Sequence, residues 1–431
     1  MSIIESIYNG ISDGRYYVSN IKFNEPLLSS VHGNGYQEGY SGMLYHLDNL
    51  YLMKHLLDKG YGGKVKCIYI DPPFFTRAKY KASIDVLSGA KNYKLRLNAY
   101  KDWNSNTLRD YIEFISSRLI LMRELLSDDG LIWVHLDWHS SHYVRVVMDE
   151  IFGPDNFVNE IIWKYKSGGS SKKHFSRKHD TILLYSKTKK YSINISKEKS
   201  YNRELKKYGF RGVNEYKDDF GWYTVVNMKD VWNINMVGRT SSERTGYATQ
   251  KPLELMKRII TVSSNEGDIC ADFFCGSGSF LEAAGELNRN WIGCDNELLA
   301  VSLSRKRMIG VNSCFNCYFN DSPREGMLRF APNSVVVLDN GKKLIRCSIE
   351  SFTPIIYIDD LSPDDSDKIN KIVSKNPIDM IDYIMIDNDF TGVFTPEIIS
   401  YSGNEEFKFI TRGNTRFVAV DVFGNEYLCD L

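Results

Sequence analysis

The chain has 431 residues, enough for two or three domains of ordinary size. A hydrophobic content of 43% supports a large core and argues against global disorder, whereas a formal net charge of zero excludes no class of partner. No apolar run approaches the roughly 20 residues of a membrane helix, and the first eight residues lack the apolar core of a secretory signal. We therefore expect a reduced cytoplasmic protein without a membrane segment. Cys314-Phe-Asn-Cys317 has no second pair nearby, so we expect ordinary thiols and no metal site.

Charge is unevenly distributed along the chain. The segment from Lys164 to Arg211 carries fifteen lysines and arginines against three acidic residues. Residues 331–431 carry nine basic residues against seventeen acidic ones. This asymmetry predicts one surface that binds a polyanion and another that avoids it.

The first hundred residues predict a lead segment followed by a β-α-β unit. Residues 1–42 are rich in Gly, Ser, Asn and Tyr and weakly periodic, so we expect them to wrap around the domain. A strand from Met43, an amphipathic helix over 51–59 and a strand over 65–70 then predict a parallel sheet. Asp48 follows the first of these strands. It either binds a ligand amine there or caps the next helix, and capping is slightly favoured.

The strand over 65–70 runs into Asp71-Pro72-Pro73-Phe74. Two prolines end a strand because neither donates to the ladder, and ligands of open α/β sheets bind at this carboxyl edge. An exocyclic amine of a nucleobase is a poor nucleophile, and acceptors for its two N–H groups would activate it. Asp71 and the Pro72 carbonyl can accept them, while Phe74 can stack on an extruded base. The alternative is an ordinary Pro-Pro turn with a capping aspartate.

The next segments alternate between loop, helix and strand. Residues 75–101 show no clear period, and a loop of that length beside a candidate site is usually functional or disordered. Apolar spacing predicts a helix over 108–126, a buried strand over 131–136 that ends at Asp137, and a helix over 139–152.

Residues 157–245 interleave short β-like runs with cations and aromatic residues. Phosphates attract cations and unstacked bases attract aromatic rings, so this segment predicts a nucleic-acid surface. The candidate phosphate ligands are Lys172, Lys173, Arg177 and Lys178. The alternative is a solvated insertion.

A second motif spans Ile269 to Phe280 and predicts a strand, a glycine turn and a helix. The glycines let the backbone approach a ligand closely. The following strand ends at Asp295, where a carboxylate can accept two ribose hydroxyls. The pattern departs from GxGxxG after Gly278, so a nucleoside without phosphates fits better than a dinucleotide.

These motifs carry a family resemblance. Asp272-Phe-Phe-Cys-Gly-Ser-Gly278 resembles the FxGxG cofactor motif of S-adenosylmethionine-dependent DNA amino-methyltransferases, and Asp71–Phe74 resembles their catalytic motif. Thr249-Gln-Lys-Pro252 resembles their TQKP element. The order of catalytic motif, basic region and cofactor motif is that of the beta class. The stretches around Leu131–Asp137 and Phe157–Lys187 also resemble this class, especially type III modification subunits. The resemblance covers about residues 43–310.

The resemblance implies an α/β fold with a Rossmann-like, circularly permuted methyltransferase sheet, and it implies roles for matching residues. Asp71, Pro72, Pro73 and Phe74 would hold and activate the target amine. S-adenosyl-L-methionine would be bound by Asp48, Thr249, Lys251, Asp272, Phe273, Phe274, Gly276, Gly278 and Asp295. Phe74 stands where Tyr is more usual, and Phe75-Thr76-Arg77 replaces the usual Asn-Thr-Gly.

The resemblance also bears on the target base and the partners. Family members whose motif opens with Asp mostly methylate adenine N6, and those opening with Ser mostly methylate cytosine N4, so Asp71 favours adenine. Alternatives are an N4-cytosine enzyme, an RNA adenine methyltransferase and a catalytically silent DNA-specificity subunit. The implied partners are DNA, a restriction subunit or another defence-system protein, and a second copy of the chain.

The last hundred residues predict a β-rich acidic domain. Asp339-Asn-Gly341 lies between two apolar runs, and the stretch from Arg416 to Leu428 has a similar hairpin pattern. The expected division is a catalytic domain over 1–160 and 246–325, a target-recognition region over 161–245, and a C-terminal domain over 332–431 joined by a linker near Pro332. The C-terminal domain either contacts a protein partner or stabilises the chain.

Overall fold

A computed structural model describes residues 2–22, 25–33, 42–103, 105, 107–166, 171–357 and 361–431. Parts of the predicted lead segment (1, 23–24 and 34–41), recognition region (167–170) and C-terminal domain (358–360) therefore lie outside the described residues. Within them the helices are α1 (Ile3–Asn20), α2 (Asn49–Asp58), α3 (Leu108–Leu125), α4 (Ser141–Phe152), α5 (Leu253–Ser263), α6 (Ser279–Glu286), α7 (Leu298–Gly310) and α8 (Pro363–Lys375). In this part of the chain, no helix combines the length and apolar character needed to cross a membrane.

The strands fall into a first group before the glycine turn and a second group from it onward. The first group is β1 (Leu27–His32), β2 (Gly42–His46), β3 (Val65–Ile70), β4 (Lys79–Ser88), β5 (Lys91–Lys101), β6 (Leu126–Leu136), β7 (Phe157–Lys164), β8 (His179–Ser186), β9 (Lys197–Tyr201), β10 (Glu215–Asp218), β11 (Gly221–Asn227) and β12 (Val231–Asn233). The second group is β13 (Ile269–Asp272), β14 (Asn290–Asp295), β15 (Phe315–Phe319), β16 (Arg324–Glu325), β17 (Leu328–Val337), β18 (Lys343–Phe352), β19 (Ile381–Phe390), β20 (Ile398–Ser400), β21 (Phe407–Thr411), β22 (Asn414–Asp421) and β23 (Glu426–Asp430).

A ten-stranded central sheet has the order β1-β15-β2-β14-β13-β3-β6-β8-β7-β12. The strands from β15 to β6 run parallel, and β8 is antiparallel to both of its neighbours. Parallel strands need covering on both faces, which explains why β3 is buried along its whole length. The predicted Rossmann-like sheet is confirmed. The catalytic-motif strand β3 precedes its neighbour β13 in the chain, as the permutation requires.

Helices cover the two faces of this sheet with separate cores. On one face, α1 to α4 contribute Leu52, Ile115 and Val147 to a single buried cluster. On the other face, α5 to α7 contribute Ile259 and Phe280 to a second cluster. The β-α-β unit predicted around the second and third strands is therefore part of a three-layer domain.

The lead segment, which we expected to wrap around the domain, begins with a helix. Helix α1 begins with a capping box at Ser2 and packs on α3 through the buried residues Ile7 and Ile11. A Cβ atom at Gly10 would lie 2.8 Å from the Arg109 carbonyl oxygen, so the glycine permits close contact between the two helices. Glycine lowers helix propensity by about 1 kcal/mol relative to alanine, and here the tertiary contact overrides that preference.

The expectation of a loop over 75–101 is wrong. Strands β4 and β5 form a long antiparallel hairpin that turns at Gly89. Its inner face carries Leu95, Leu97 and Ala99, which are buried and alternate with polar residues. That period-two signal was present in the sequence but was obscured by the polar Tyr and Lys residues around it.

The predicted recognition region does not fold as one unit. Strands β7, β8 and β12 belong to the central sheet, and only β9, β10 and β11 form a separate three-stranded sheet. The boundaries 161–245 therefore cut through the catalytic fold. The connections between these strands expose aromatic side chains, including Phe210 and Phe220.

The C-terminal part is β-rich, as predicted, and both expected hairpins are present as β17-β18 and β22-β23. Pro332, however, lies within β17 and not in a linker. The part that follows β15 is not a separate domain, because Phe330 and Phe417 share one buried cluster with Leu95 and Leu97 of the β4-β5 hairpin. We therefore refer to residues 324–431 as the C-terminal module and treat it as packed against the catalytic fold.

A buried ion pair joins this module to α7. Arg305 pairs with Glu426 of β23, and their side chains are 0% and 5% exposed. Arg305 also donates from Nε to the Tyr383 hydroxyl at 2.9 Å. Removing one partner of a buried pair leaves an uncompensated charge, whereas replacing both is often tolerated.

We expect Arg305→Met to lower the free energy of unfolding by about 3–5 kcal/mol, measured by urea denaturation. Adding Glu426→Gln should recover much of that loss. The neighbouring pair Lys306–Asp382 is more exposed, so Lys306→Met is a matched control and should cost about 1 kcal/mol or less. Equal losses in both single variants would contradict the assignment of Arg305 as a buried anchor.

Candidate active site

Four acidic residues lie side by side at the carboxyl edge of the central sheet. Asp48 follows β2, Asp295 ends β14, Asp272 ends β13 and Asp71 follows β3. These four strands are adjacent and parallel, so their carboxyl ends meet at one edge. Connections leave β13 and β3 toward opposite sides of the sheet, which makes this a topological switch point where ligands bind in such folds.

A cavity of about 510 Å³ opens at this edge. It brings together most of the residues that the sequence predicted for the catalytic and cofactor sites. Those that line it are Asp48, Asp71, Pro73, Thr249, Lys251, Asp272, Phe273, Phe274, Gly276 and Asp295. Pro72, Phe74 and Gly278 are not among the lining residues; Pro72 is buried and Phe74 is half-buried.

An ion pair joins the two distant motifs inside the cavity. Lys251 Nζ contacts Asp71 Oδ2 across 180 residues of sequence, and both side chains are mostly buried. The other oxygen, Asp71 Oδ1, is buried and has no hydrogen-bond partner among the described residues. It is therefore free to accept a hydrogen bond from a ligand.

A fully buried histidine lies beneath Asp71. His135 Nδ1 is 2.9 Å from the Tyr69 hydroxyl and 3.7 Å from Asp71 Oδ1, and His135 Nε2 is 3.2 Å from Asp180 Oδ2. Burial opposes the charge on Asp180, yet the hydrogen bond with His135 and the other polar contacts hold its pKa below the usual value. Sequence reasoning missed these residues because β8 reaches β6 only through tertiary pairing.

Asp48 acts as a helix cap and also faces the cavity. Its Oδ1 accepts from the Leu50 amide at 2.8 Å, as the capping hypothesis predicted. Arg118 Nη2 also donates to both carboxylate oxygens, at 3.0 and 3.1 Å. Arg118 Nε donates to Asn49, which in turn donates to the Phe273 carbonyl oxygen at 2.7 Å. This network, unpredicted from sequence, ties the cap to the glycine-turn segment.

The glycine turn is built from residues with positive φ. Gly276 has φ 52°, and its N–H donates to Asp295 Oδ2 at 2.9 Å. Gly278 has φ 77° and precedes α6 as its N-cap. A Cβ atom there would lie 2.8 Å from the Ser304 hydroxyl, so Gly278 shapes the turn by packing and not by lining the cavity.

The β4-β5 hairpin forms one wall of the cavity. The Tyr100 hydroxyl is 3.2 Å from Thr249 Oγ1, and the Tyr100 and Tyr247 rings are stacked with centroids 6.4 Å apart. The Ser83 amide donates to the Gly246 carbonyl oxygen at 2.9 Å. The segment that the sequence suggested was a loop thus holds the Thr249–Lys251 element in place.

Carboxylates outnumber cations around the cavity. Burial raises the pKa of Asp272 well above its ordinary value, and the nearby charges of Asp71 and Asp295 raise it further. Burial also raises the pKa of Asp295. Clustered carboxylates in a buried site favour a ligand that brings positive charge.

The four predicted phosphate ligands lie outside the cavity. Lys172, Lys173 and Arg177 are exposed, and Lys178 immediately precedes β8. Because β8 is antiparallel to β6, this segment emerges at the same sheet edge as Asp71. The Arg177 guanidinium stacks 3.9 Å from the ring of Trp138, which follows β6 and is 50% exposed.

The segment that leads into the small sheet β9-β10-β11 contacts the catalytic fold at a different place. The Asn194 amide donates to the Val262 carbonyl oxygen, near the end of α5 that is remote from Lys251. No group of three or more His, Cys, Asp or Glu side chains within the described ranges is arranged to hold a metal ion.

Comparisons with known proteins agree with these motifs. Residues 65–306 match a family described as DNA methylase. The chain is 31% identical over 335 residues to the type II methyltransferase M.EcaI of Enterobacter cloacae, covering 64% of this chain and 71% of that protein. It is 30% identical over 254 residues to M.HpaI of Haemophilus parainfluenzae, covering 59% and 75%. It is 31% identical over 157 residues to the type III EcoP15I Mod subunit of Escherichia coli, covering 34% and 24%.

Asp272 gives a pH-dependent test of the site. Its folded-state pKa is raised, so the folded chain retains a proton that the unfolded chain releases above about pH 3.9. Its contribution to stability therefore falls as pH rises from that value toward the folded pKa.

We expect Asp272→Asn to gain stability relative to the wild type between pH 5 and pH 8 in urea unfolding without ligand. Each unit of pKa difference contributes about 1.4 kcal/mol. Asp367→Asn, at an exposed position of α8, is the control and should show no such trend. If the difference in free energy of unfolding between Asp272→Asn and the wild type did not change with pH, the raised pKa of Asp272 would be contradicted.

Proposed function

Because the chain belongs to the DNA methylase family, we propose that it methylates the exocyclic N6 amine of adenine at specific DNA sites, with S-adenosyl-L-methionine as the methyl donor. The observation that carries the proposal is the meeting of the catalytic and cofactor motifs in one cavity, joined by the Asp71–Lys251 ion pair. DNA methylation is the activity that the family shares, and the choice of adenine as the target base is our proposal.

The cavity fits the proposed cofactor by charge and by hydrogen bonding. S-adenosyl-L-methionine carries a sulfonium and an ammonium group, which suit a carboxylate-lined site. Three buried polar atoms of lining side chains lack a hydrogen-bond partner within the described part of the chain, namely Asp71 Oδ1, Trp103 Nε1 and Ser279 Oγ. Buried polar atoms are rarely left unpaired, so their presence supports a polar ligand.

Individual residues would hold different parts of this ligand. Asp295 would accept the ribose hydroxyls, and Asp48 would accept from the adenine amine. Phe273, Phe274 and the Gly276 backbone would contact the remainder of the nucleoside and the methionine part. Thr249 and Lys251 would close the cavity beside Tyr100.

The bound cofactor supplies an electrophilic methyl group. The turn Asp71–Phe74 acts on the target base. Asp71 Oδ1 would accept one N–H of the amine, and the Pro72 carbonyl would accept the other. The Pro73 carbonyl already accepts from the Tyr111 hydroxyl at 2.8 Å, which supports Pro72 as the acceptor. Phe74, whose side chain is half-buried, would stack on the extruded base.

Adenine is favoured over cytosine by the first residue of the motif. Relatives of this family that open with Asp mostly methylate adenine N6, and Asp71 occupies that position. Cytosine N4 is the second candidate, because the family groups both activities and both amines present the same pair of N–H donors. RNA is a further alternative substrate, and comparing methyl uptake on RNA and duplex DNA tests it.

We propose that DNA is contacted by the basic segment 171–178, with Lys172, Lys173, Arg177 and Lys178 on phosphates. Similarity to a type III Mod subunit supports a restriction subunit as a partner. We also propose a division of the chain into three parts. These are a catalytic fold that includes β7, β8 and β12, a recognition unit around β9-β10-β11, and the C-terminal module.

The target base is tested by analysing nucleosides of DNA incubated with the protein and S-adenosyl-L-methionine. We expect N6-methyladenine and no N4-methylcytosine. Asp71→Ala should abolish product while calorimetry shows that cofactor binding survives. N4-methylcytosine as the sole product would reject the adenine assignment, and retained turnover of Asp71→Ala would reject the catalytic turn.

The same calorimetry tests the cofactor site. Asp295→Ala should weaken S-adenosyl-L-methionine binding by about 1.5–3 kcal/mol, the value of a hydrogen bond to a charged group. Unchanged cofactor affinity in Asp295→Ala would remove that residue from the site.

Methyl transfer tests the stacking role of Phe74. Phe74→Tyr should retain activity, whereas Phe74→Ala should lose stacking worth roughly 1–3 kcal/mol per base.

DNA contact is tested by salt dependence. Replacing Lys172, Lys173, Arg177 and Lys178 by Ala should lower DNA affinity, and each lost phosphate contact should reduce the slope of log K against log salt by about 0.9. The control variant replaces four lysines of the C-terminal module, Lys342, Lys343, Lys371 and Lys408, and should keep the wild-type slope. A wild-type slope in the first variant would place the DNA surface elsewhere.

A further inference from the structure

The turn that follows the catalytic tetrapeptide has an unusual backbone. Phe75 has φ 65° and Arg77 has φ 60°, in the left-handed region that residues with side chains rarely adopt. A side chain meets steric hindrance in this region, so Gly or Asn is the usual choice there. Phe75 and Arg77 are neither, so another interaction must hold this turn in its conformation.

One buried carboxylate holds the turn. Asp102 is 2% exposed. Its Oδ1 accepts from the Phe74 amide at 2.7 Å. Its Oδ2 accepts from the Thr76 amide at 2.5 Å and from the Thr76 hydroxyl at 2.9 Å. Hydrogen bonds to a carboxylate are stronger than neutral ones, and three of them converge on the residues on either side of Phe75.

Asp102 is itself held by a rigid element. It directly follows β5, and its amide donates to the Ala78 carbonyl oxygen at 2.9 Å, at the base of the β4-β5 hairpin. The inner face of that hairpin, including Leu95 and Leu97, is buried in the core it shares with the C-terminal module. The Arg96 amide also donates to Asp365 of α8 at 3.2 Å.

We propose that Asp102 is a positioning residue for methyl transfer, which fixes Phe74 and the acceptors of the target amine by clamping the strained turn Phe75–Arg77. The inference rests on the proposed catalytic role of Asp71–Phe74. It also gives the C-terminal module a part in catalysis, because the module supports the hairpin that carries Asp102. Asp102 lines the cavity, but it acts through the turn and not on the reacting atoms.

Asp102→Asn is the test variant. The substitution keeps the shape of the side chain but replaces one acceptor oxygen with an NH₂ group, which cannot accept from an amide. We expect kcat at saturating DNA and cofactor to fall roughly 10²-fold, the size of effect that a misplacement of about 1 Å produces. Cofactor affinity by calorimetry should stay within about threefold, since the hydrogen bonds of the Asp102 side chain go to Phe74 and Thr76 and not to residues assigned to the cofactor. Asp85→Asn, at an exposed position of the same hairpin, is the matched control and should keep the wild-type kcat.

A second substitution distinguishes positioning from a general folding role. Arg77→Gly removes the conformational penalty at an exposed position of the turn, and its own kcat is the reference for the double variant. In the Asp102→Asn background it should recover about tenfold in kcat, because the relieved strain is of that size. A merely structural aspartate would show no such recovery.

The outcomes separate this inference from the proposed function on which it rests. Asp71→Ala is assayed alongside. If Asp71→Ala is inactive and Asp102→Asn keeps kcat within about threefold of the wild type, the clamp is rejected and the catalytic turn stands. If the loss in Asp102→Asn is unaltered by Arg77→Gly, or is matched by an equal loss of cofactor affinity, the clamp is also rejected. If Asp71→Ala itself turns over, the assignment of the catalytic turn fails.

Discussion

Parallel pairing of β13 with both β3 and β14 is the constraint on which the site depends. It aligns the carboxyl ends of three strands whose sequences end in or run into Asp71, Asp272 and Asp295. These residues come from two motifs about 200 positions apart in the chain, and register alone brings them together. Because connections diverge on either side of the β13-β3 boundary, the edge is open and can hold a ligand.

The site concentrates negative charge in a place of low solvent access. Lys251 offsets the charge of Asp71 on one oxygen only and leaves the other available. Burial raises the pKa values of Asp272 and Asp295, because it makes their charged forms costly. A cationic cofactor would relieve that cost, which couples cofactor binding to the charge state of the site.

The C-terminal module packs more closely against the catalytic fold than its composition suggests. Its acidic surface argued for a separate unit that avoids DNA. Its interior nevertheless continues into the β4-β5 hairpin, and Arg305 and Glu426 lock it to α7. Net charge describes the solvent-facing side chains of a module, whereas the buried side chains decide whether it is independent.

Some features of this protein were determined by local sequence. The strand into Asp71-Pro-Pro-Phe74, the glycine turn at Gly276 and the hairpins around Gly341 and Gly424 follow from backbone preferences of a few adjacent residues. The resemblance of the two motifs, in that order, to those of beta-class DNA amino-methyltransferases likewise implied the family and the permuted α/β sheet. Such signals can be recognised in the sequence because they depend only on residue type and on the spacing between nearby residues.

Other features were decided only by tertiary structure. Helix α1 contains Gly10 and Gly14, which weaken a helix in isolation, and it is stabilised by close packing on α3. Strands β7 and β8 look like parts of a variable insertion, yet they complete the central sheet. His135, Asp180 and Asp102 carry no local motif, because each acquires its role from a partner brought near by strand pairing or by the hairpin. Residues that meet through long-range contacts of this kind are not separated by a characteristic number of positions in the sequence. Only the tertiary structure shows that they are in contact.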